Sequence, residues 1–181
     1  EYLKGKVSDV LGRIDDRGKA SALIDLLQLD KIKSRQMSVL SGGELQRLAI
    51  AAAAARDVDA YIFDEPSSHL DVSQRLRAAR AIRGLVEEGK TVLLAEHDLA
   101  MLDYLSDQVC VLYGEPGVYG IVSHVHGVRV GINIYLDGFV PDENMRFRDD
   151  PIRFHVKPPR DFAPAESWQL EWPKMSRKFR Q

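Results

Sequence analysis

Two short apolar runs, each ending abruptly in polar residues, constrain the fold of this 181-residue chain more than any other feature. The first run, Ala60–Phe63, stops at Asp64-Glu65-Pro66, and the second, Thr91–Ala95, stops at Glu96-His97-Asp98. A short apolar run that is bounded by turn signals is typical of a buried strand. Because a helical pattern separates the two runs, we expect neighbouring parallel strands joined by a crossover helix.

Apolar residues at helical spacing predict several helices around these strands. Two short amphipathic helices are expected over 7–14 and 20–27, and another over 99–105 leads to a third strand, 109–113. The crossover helix should occupy about 73–89. Its predicted buried face carries Val72, Leu76, Ala79, Ile82 and Leu85. The expected fold class is therefore α/β, with a helical part followed by the strands of a parallel sheet.

The pattern changes after residue 113. Gly114-Glu115-Pro116-Gly117 predicts a turn between two apolar runs, so we expect a hairpin there. Glycines then recur as far as Gly138 with little helical periodicity. Five prolines punctuate 151–181, which is typical of a linker into a new element.

The composition excludes several classes of protein. Hydrophobic residues make up 45% of the chain and charged residues 29%, which indicates a folded domain and not a disordered tail. No apolar stretch approaches the length of a membrane-spanning helix, which excludes a membrane-embedded protein. The single cysteine, Cys110, excludes a disulfide framework and fits a reducing cytosol. Because the chain begins at Glu1 and not at Met, we expect it to be part of a longer protein.

A helix start at Ser41-Gly42-Gly43 is a candidate phosphate-binding element. Ser41 and Glu44 have the spacing of a capping box, so a helix should begin there. Free backbone N–H groups and a partial positive charge at such a start attract anions, and two glycines let a phosphate come close. An ordinary helix N-cap explains the same residues, and the motif alone does not decide between the two.

Asp64 and Glu65 are candidates for hydrolytic chemistry, because ligands bind beyond the carboxyl ends of parallel strands. One carboxylate can hold Mg²⁺ through water, and the second can orient an attacking water. His97, after the next strand, could donate to a phosphate oxygen or orient the base. The alternatives are an acidic turn and a structural histidine. The fixed order of these signals along the chain favours the functional interpretation.

Four segments together resemble the motif set of ABC-type ATPases. Leu40–Glu44 is similar to the signature motif, Tyr61–Glu65 to the Walker B strand, Ser68–Asp71 to the D-loop, and His97 to the switch histidine. As a set, these motifs are highly specific for that class of protein.

Further segments narrow the resemblance to the RNase L inhibitor family, the ABC-type ribosome-recycling ATPases of archaea and eukaryotes. These segments are Glu96–Ala100, Leu102–Asp107, Gly114–Gly120 and Gly131–Asn133. The resemblance implies a P-loop-NTPase-like ABC ATPase domain fragment. It divides the chain into a helical subdomain ending in the signature helix (1–56), catalytic core strands (57–113), a hinge (114–150), and a linker with the start of a second nucleotide-binding domain (151–181).

The resemblance implies a role for each residue of the catalytic motifs. Asp64 would act on Mg²⁺, Glu65 on the attacking water and His97 on the γ-phosphate. Asp71 would couple this site to a second nucleotide site.

Other residues are implied to bind nucleotide. Ser41, Gly42, Gly43 and Glu44 would bind a nucleotide that is held by the opposite domain. Trp172 stands before a proline where the family has an aromatic residue that stacks on adenine, and a Trp ring could do the same. The alternative for Trp172 is an aromatic residue packed at the start of a strand.

Cofactors and partners also follow from the resemblance. ATP and Mg²⁺ are implied for these motifs, whereas iron–sulfur clusters are expected only in an upstream domain. We expect the family's phosphate-binding loop and its Gln-containing loop to lie upstream of Glu1 as well. The implied partners are a second nucleotide-binding domain of the same protein, a ribosomal subunit, and release or recycling factors. The implied location is cytoplasmic, without a membrane.

Three other functions share parts of this motif set. The ATPase subunit of an ABC transporter is the main alternative, and the glycine-rich hinge argues against it. The head of a DNA-repair or chromosome-structure ATPase would carry a long coiled coil before the signature helix, whereas 1–36 shows short broken helices. A non-hydrolytic scaffold is disfavoured because Asp64 and Glu65 are both present.

Overall fold

Helices form the first part of the computed structural model, which describes residues 4–153. They are α1 (Val7–Ile14), α2 (Ala20–Leu26) and α3 (Gly42–Ala54), with two short 3-10 helices, Asp30–Ile32 and Met37–Val39, between α2 and α3. The helices predicted over 7–14 and 20–27 are confirmed. Trp172 and the expected start of a second domain lie outside the described residues.

Two parallel strands follow the helices. β1 (Ala60–Asp64) pairs with β2 (Thr91–Ala95) in a continuous register, from Ala60 opposite Thr91 to Asp64 opposite Ala95. The helix α4 (Val72–Glu87) connects them. The predicted parallel pair with a crossover helix is therefore confirmed. No helix among residues 4–153, α4 included, is long and apolar enough to cross a membrane.

One face of this two-stranded sheet is buried and the other is open. Tyr61 and Phe63 of β1 belong to a core that they share with apolar residues of α1 to α4 and with Met101 and Leu105. Because side chains alternate along a strand, Ile62 and Leu93 lie on the opposite face, where 77% and 65% of their surfaces are exposed. The prediction of buried strands is therefore right for one face of the sheet and wrong for the other, because residues 4–153 cover a single face.

The helix α4 packs against α3 and β2 with a face that only partly matches the predicted one. The prediction is right for Ala79, Ile82 and Leu85, which are buried, and wrong for Val72 and Leu76, which are exposed. The buried stripe is rich in alanine, whose small side chain lets neighbouring elements approach closely. The larger residues of the first turns of α4 are left at the surface.

The third parallel strand predicted over 109–113 is not formed within residues 4–153. After α5 (Leu99–Leu105), the chain forms β3 (Gln108–Val109), β4 (Leu112–Glu115), β5 (Tyr119–Val122) and β6 (His126–Gly127). The pairings are antiparallel, β3 with β6 and β4 with β5. The predicted hairpin at 114–117 is confirmed, and it explains the error, because the backbone of β4 pairs with the returning strand and not with β2.

A second, smaller apolar cluster follows, formed by Val111, Tyr113, Ile134 and Val140. It involves α6 (Val128–Asp137) and β7 (Phe139–Val140), and β7 pairs with β8 (Met145–Arg146). The expectation of little helical periodicity in this region is wrong for α6. Gly131 lies inside that helix, where a Cβ would come within 3.0 Å of the Val109 Cβ. This glycine permits a close helix–strand contact and does not mark a turn.

Candidate functional site

The backbone turns sharply directly after β1, at Glu65. Its N–H donates to the Ala95 carbonyl at 2.9 Å, which extends the β1–β2 ladder by one residue. Its φ of +43° lies in the left-handed region, which costs a non-glycine residue on the order of 1–3 kcal/mol. Backbone strain of this kind concentrates at functional sites. The turn leaves 54% of the Glu65 side chain exposed beyond the carboxyl end of the strand.

The structure brings His97 next to Glu65. The His97 Nδ1 lies 3.5 Å from Glu65 Oε1, which is within ion-pair distance when the imidazole is protonated. The Ser68 hydroxyl donates a 3.0 Å hydrogen bond to Glu65 Oε2. One carboxylate oxygen is thus held by Ser68, while the other faces His97. Because both Glu65 and His97 are more than half exposed, a ligand can reach them.

Asp64 occupies the last position of β1, with its side chain exposed. Residues 4–153 contain no group of three or more His, Cys, Asp or Glu placed to hold a metal by themselves. Mg²⁺ is usually held by one or two carboxylates together with substrate phosphates and water. The single carboxylate of Asp64 therefore fits a magnesium ion that is bound jointly with a phosphate ligand.

Ser41 is the N-cap of α3, so the predicted helix start is confirmed. The Glu44 N–H donates to Ser41 Oγ at 3.4 Å, and the Ser41 N–H donates to Glu44 Oε2 at 2.9 Å, which completes the capping box. The hydrogen bond from the Ser41 backbone holds the pKa of Glu44 below its usual value. The Glu44 carboxylate is therefore engaged in the cap, whereas helix geometry leaves the N–H groups of Gly42 and Gly43 without intrahelical partners.

The start of α3 packs against the loop that follows β1. Gln46 Nε2 donates to the carbonyl oxygens of Glu65 and Pro66, at 3.3 Å each. Gly43 lies so close to this loop that an added Cβ would come within 2.8 Å of the His69 carbonyl oxygen. Gln46 is absent from the predicted site residues. Its position three residues after Gly43, on the same face of the helix, was a usable signal.

We expect Gly43→Ala to destabilise the protein by about 1–3 kcal/mol, because the new methyl group overpacks the loop carbonyl. Gly42→Ala is the matched control, since a Cβ there would meet only the His69 side chain, at 3.7 Å, which is an ordinary contact. Chemical denaturation of both variants measures the difference in the free energy of unfolding. Equal stability of the two variants would mean that the loop moves aside without cost.

Asp71 lies at the N-terminus of α4, where it forms a second capping box. Its carboxylate accepts the Gln74 N–H at 2.8 Å, and its own N–H donates to Gln74 Oε1 at 3.4 Å. The residue predicted to couple two nucleotide sites is thus the N-cap of a helix in this chain. Asp71 is exposed and thus accessible to another domain. Its coupling role stays a prediction.

The residues Gly84–Thr91 match the letters of the phosphate-loop pattern G-x-x-x-x-G-K-[ST], although no such loop is expected in this chain. A phosphate loop follows a strand and opens a helix, whereas these residues end α4 and lead into β2. Gly89, at φ +81°, and Lys90 donate their N–H groups back to the last turn of α4, as in a Schellman motif. Lys90 Nζ is bound to Asp57 at 2.9 Å. The match is therefore a helix C-cap and not a phosphate cradle.

Comparison with known sequences identifies relatives of the chain. A family profile described as ABC transporter matches residues 4–68. The translation initiation factor RLI1 of Chaetomium thermophilum is 51% identical over 156 residues, which are 86% of this chain and 26% of that protein. The chain spans about a quarter of the length of the curated relatives that it matches.

Two solved structures share the fold over most of the chain. One is the archaeal ribosome recycling factor aABCE1 in complex with the ribosomal stalk protein aP1. It is 56% identical with a TM-score of 0.83, over 87% of this chain and 31% of that chain. The other, RNase-L Inhibitor, is 57% identical with a TM-score of 0.81, over 83% of this chain and 29% of that chain. At more than 50% identity over most of its length to these relatives, the chain belongs to the RNase L inhibitor family of ABC-type ATPases.

Proposed function

We propose that this chain supplies the signature helix, the acidic pair and the switch histidine of one nucleotide-binding domain in an ATP-hydrolysing protein that splits ribosomes into subunits. The cluster of Glu65, Ser68 and His97 at the carboxyl ends of β1 and β2 carries the hydrolytic part of the proposal. The ribosomal part is supported by the relatives, which include a translation initiation factor and a ribosome recycling factor bound to a stalk protein.

Glu65 is the proposed general base for the attacking water. The Ser68 hydroxyl engages Oε2, so Oε1 remains to accept a proton from a water between the carboxylate and a γ-phosphate. His97 lies on the Oε1 side, where its ring can donate to a phosphate oxygen. When it is bound, Mg²⁺ neutralises charge on the phosphates, and Asp64 is the residue that would hold it through water.

The signature residues Ser41–Glu44 are proposed to act on a nucleotide that is held by a second nucleotide-binding domain of the same protein. The N–H groups of Gly42 and Gly43 at this helix start can donate to an incoming phosphate. Leu45, Val72 and Leu76 expose apolar surface on α3 and on the adjoining end of α4. Exposed apolar surface of this kind fits closure against another domain. Asp71, at the same end of α4, is the proposed coupling residue.

The remaining parts of the proposal concern the rest of a longer protein, and they rest on the family to which the chain belongs. The hinge 114–150 would lead to a second nucleotide-binding domain beginning in 151–181, where Trp172 would stack on adenine. Iron–sulfur clusters would belong to an upstream domain, and the protein would work in the cytoplasm with a ribosomal subunit and release or recycling factors. We do not retain the transporter subunit, because the initiation factor and the recycling factor named above are both more than 50% identical to this chain.

The proposal predicts that the complete protein hydrolyses ATP and splits ribosomes, whereas residues 1–181 alone do neither. The one match to the phosphate-loop pattern in the chain is the helix C-cap at Gly84–Thr91. Positioning and charge neutralisation of the phosphates supply most of the catalysis in phosphoryl transfer, so a chain without a phosphate cradle should be inactive. Magnesium-dependent phosphate release measures hydrolysis, and sucrose-gradient sedimentation measures the separation of ribosomal subunits.

Two outcomes would contradict the proposal. Magnesium-dependent turnover by residues 1–181 above background would mean that the chain holds phosphates by another route. If ribosomes stay intact with the complete protein, ATP and recycling factors, the ribosome-splitting part of the proposed function is wrong.

A further inference from the structure

Glu96 has a buried carboxylate that none of the roles above uses. Its side chain is 0% exposed, although it directly precedes His97, whose side chain is 69% exposed. Burying a carboxylate costs free energy unless its oxygens accept hydrogen bonds. The hydrogen-bond donors around Glu96 therefore indicate what this residue holds in place.

The Glu96 carboxylate bridges the two loops of the candidate site. Its Oε2 accepts the N–H of Ser67, in the loop after β1, at 3.3 Å. Its Oε1 accepts the N–H groups of His97 at 2.9 Å and of Asp98 at 3.1 Å, in the loop after β2. Ser67 is two residues from Glu65, so one carboxylate links the backbone of the proposed base to the backbone of the histidine.

The separation of Glu65 and His97 depends on such a link. Both side chains are largely exposed, and Glu65 has a strained backbone that its surroundings must hold. The loop after β2 has a second anchor, because Arg75 of α4 binds Asp98 at 2.6 Å. Weakening the Glu96 bridge should therefore shift the two loops relative to each other without unfolding them.

We propose that Glu96 is a positioning residue for ATP hydrolysis, which holds the loops after β1 and β2 together and thereby sets the separation of Glu65 and His97. Glu96 is too deeply buried to contact the nucleotide, so it acts through the backbone of Ser67 and through His97, whose backbone N–H donates to Oε1 and whose Nδ1 lies 3.7 Å from the same oxygen. This role rests on the hydrolytic function proposed above.

Glu96→Gln in the complete protein, with its second nucleotide site inactivated, tests the role. The amide keeps the shape but replaces one of the two oxygens with an NH₂ donor, so the N–H groups of one loop lose their acceptor. We expect single-turnover ATP hydrolysis to slow about tenfold while ATP affinity stays within about twofold, because a misplaced base slows chemistry more than binding. Glu87→Gln removes the same charge at the exposed end of α4 and should change neither quantity.

Glu65→Gln in the same assay separates this role from the proposed function. If Glu65→Gln stops hydrolysis but Glu96→Gln hydrolyses at the normal rate, the positioning role is wrong and the proposed function stands. If Glu65→Gln hydrolyses ATP normally, Glu65 is not the general base, and the role that the proposed function gives to this residue is wrong.

Glu96→Asp keeps the charge but is one methylene too short to reach both loops. Glu96→Asp should lower the single-turnover rate as Glu96→Gln does. It serves as the test variant if the Glu96→Gln protein does not fold. An ATP affinity that falls in parallel with the rate, or the failure of both variants to fold, would make Glu96 a purely structural residue and overturn the proposal.

Discussion

Glu65→Gln should slow ATP hydrolysis at its own site by on the order of 10²-fold or more while leaving ATP binding intact. The amide has the shape of the carboxylate but cannot accept a proton from the attacking water. Its carbonyl oxygen can still accept the 3.0 Å hydrogen bond from Ser68, and the exposed position carries no packing cost. Single-turnover hydrolysis in the complete protein, with the second nucleotide site inactivated, measures the rate alongside equilibrium ATP binding.

Glu87→Gln is the control for the loss of one negative charge, because this carboxylate lies exposed at the end of α4. Its hydrolysis rate should equal that of the unmodified protein, and both variants should keep the unmodified melting temperature. A normal single-turnover rate in Glu65→Gln would exclude Glu65 as the general base. The strained turn after β1 would then need another explanation.

Local signals account for the parts of the fold that could be predicted from the sequence. The periodicity of apolar residues determines α1 and α2, and the Ser41–Glu44 capping box determines where α3 begins. Each of these features depends on residues within a few positions of one another. The ends of β1 and β2 were predictable for the same reason, because polar residues follow each apolar run directly.

The features that could not be predicted depend on partners distant in the sequence. Whether Ile62 and Leu93 are buried depends on which elements cover the second face of the sheet. The sequence pattern within a strand does not predict that covering. The pairing of 112–115 is decided by competition between β2 and the returning strand β5. Gly131 lies within a helix and leaves room for the close approach of Val109, a contact that no local pattern indicates.

The candidate site divides in the same way. Glu65 and His97 were predictable as neighbours, because the carboxyl ends of adjacent parallel strands meet at one edge. Glu96 acts through hydrogen bonds to backbone N–H groups, and such bonds leave no motif, whereas Gln46 could have been found from its position on the same helix face as Gly43. Gly84–Thr91 is the opposite case, because its letters match the phosphate-loop motif without forming a phosphate site. These residues follow a helix and precede a strand, whereas a phosphate loop follows a strand and precedes a helix.

Ser41→Arg should abolish ATP-dependent closure of this domain against the second nucleotide-binding domain. Ser41 is exposed at the start of α3, beside the N–H groups of Gly42 and Gly43. A bulky side chain there would fill the space that the γ-phosphate must enter. Without closure, the N–H groups of Gly42 and Gly43 cannot reach the facing phosphate, and because losing a preorganised donor slows catalysis by on the order of 10²-fold, hydrolysis at that site should fall by at least a similar factor. Energy transfer between fluorophores on the two domains measures closure.

Ser41→Ala is the matched control, because it loses the same N-cap, worth about 1 kcal/mol, without adding bulk. Gly43 cannot serve for this test, since any side chain there meets the His69 carbonyl oxygen. Both Ser41 variants should unfold at similar denaturant concentrations, whereas only Ser41→Arg should fail to close. The comparison separates an interface role from the capping role that Ser41 visibly has with Glu44. If Ser41→Arg closes on ATP and differs from the unmodified protein only in stability, the start of α3 is a helix cap and contacts no nucleotide.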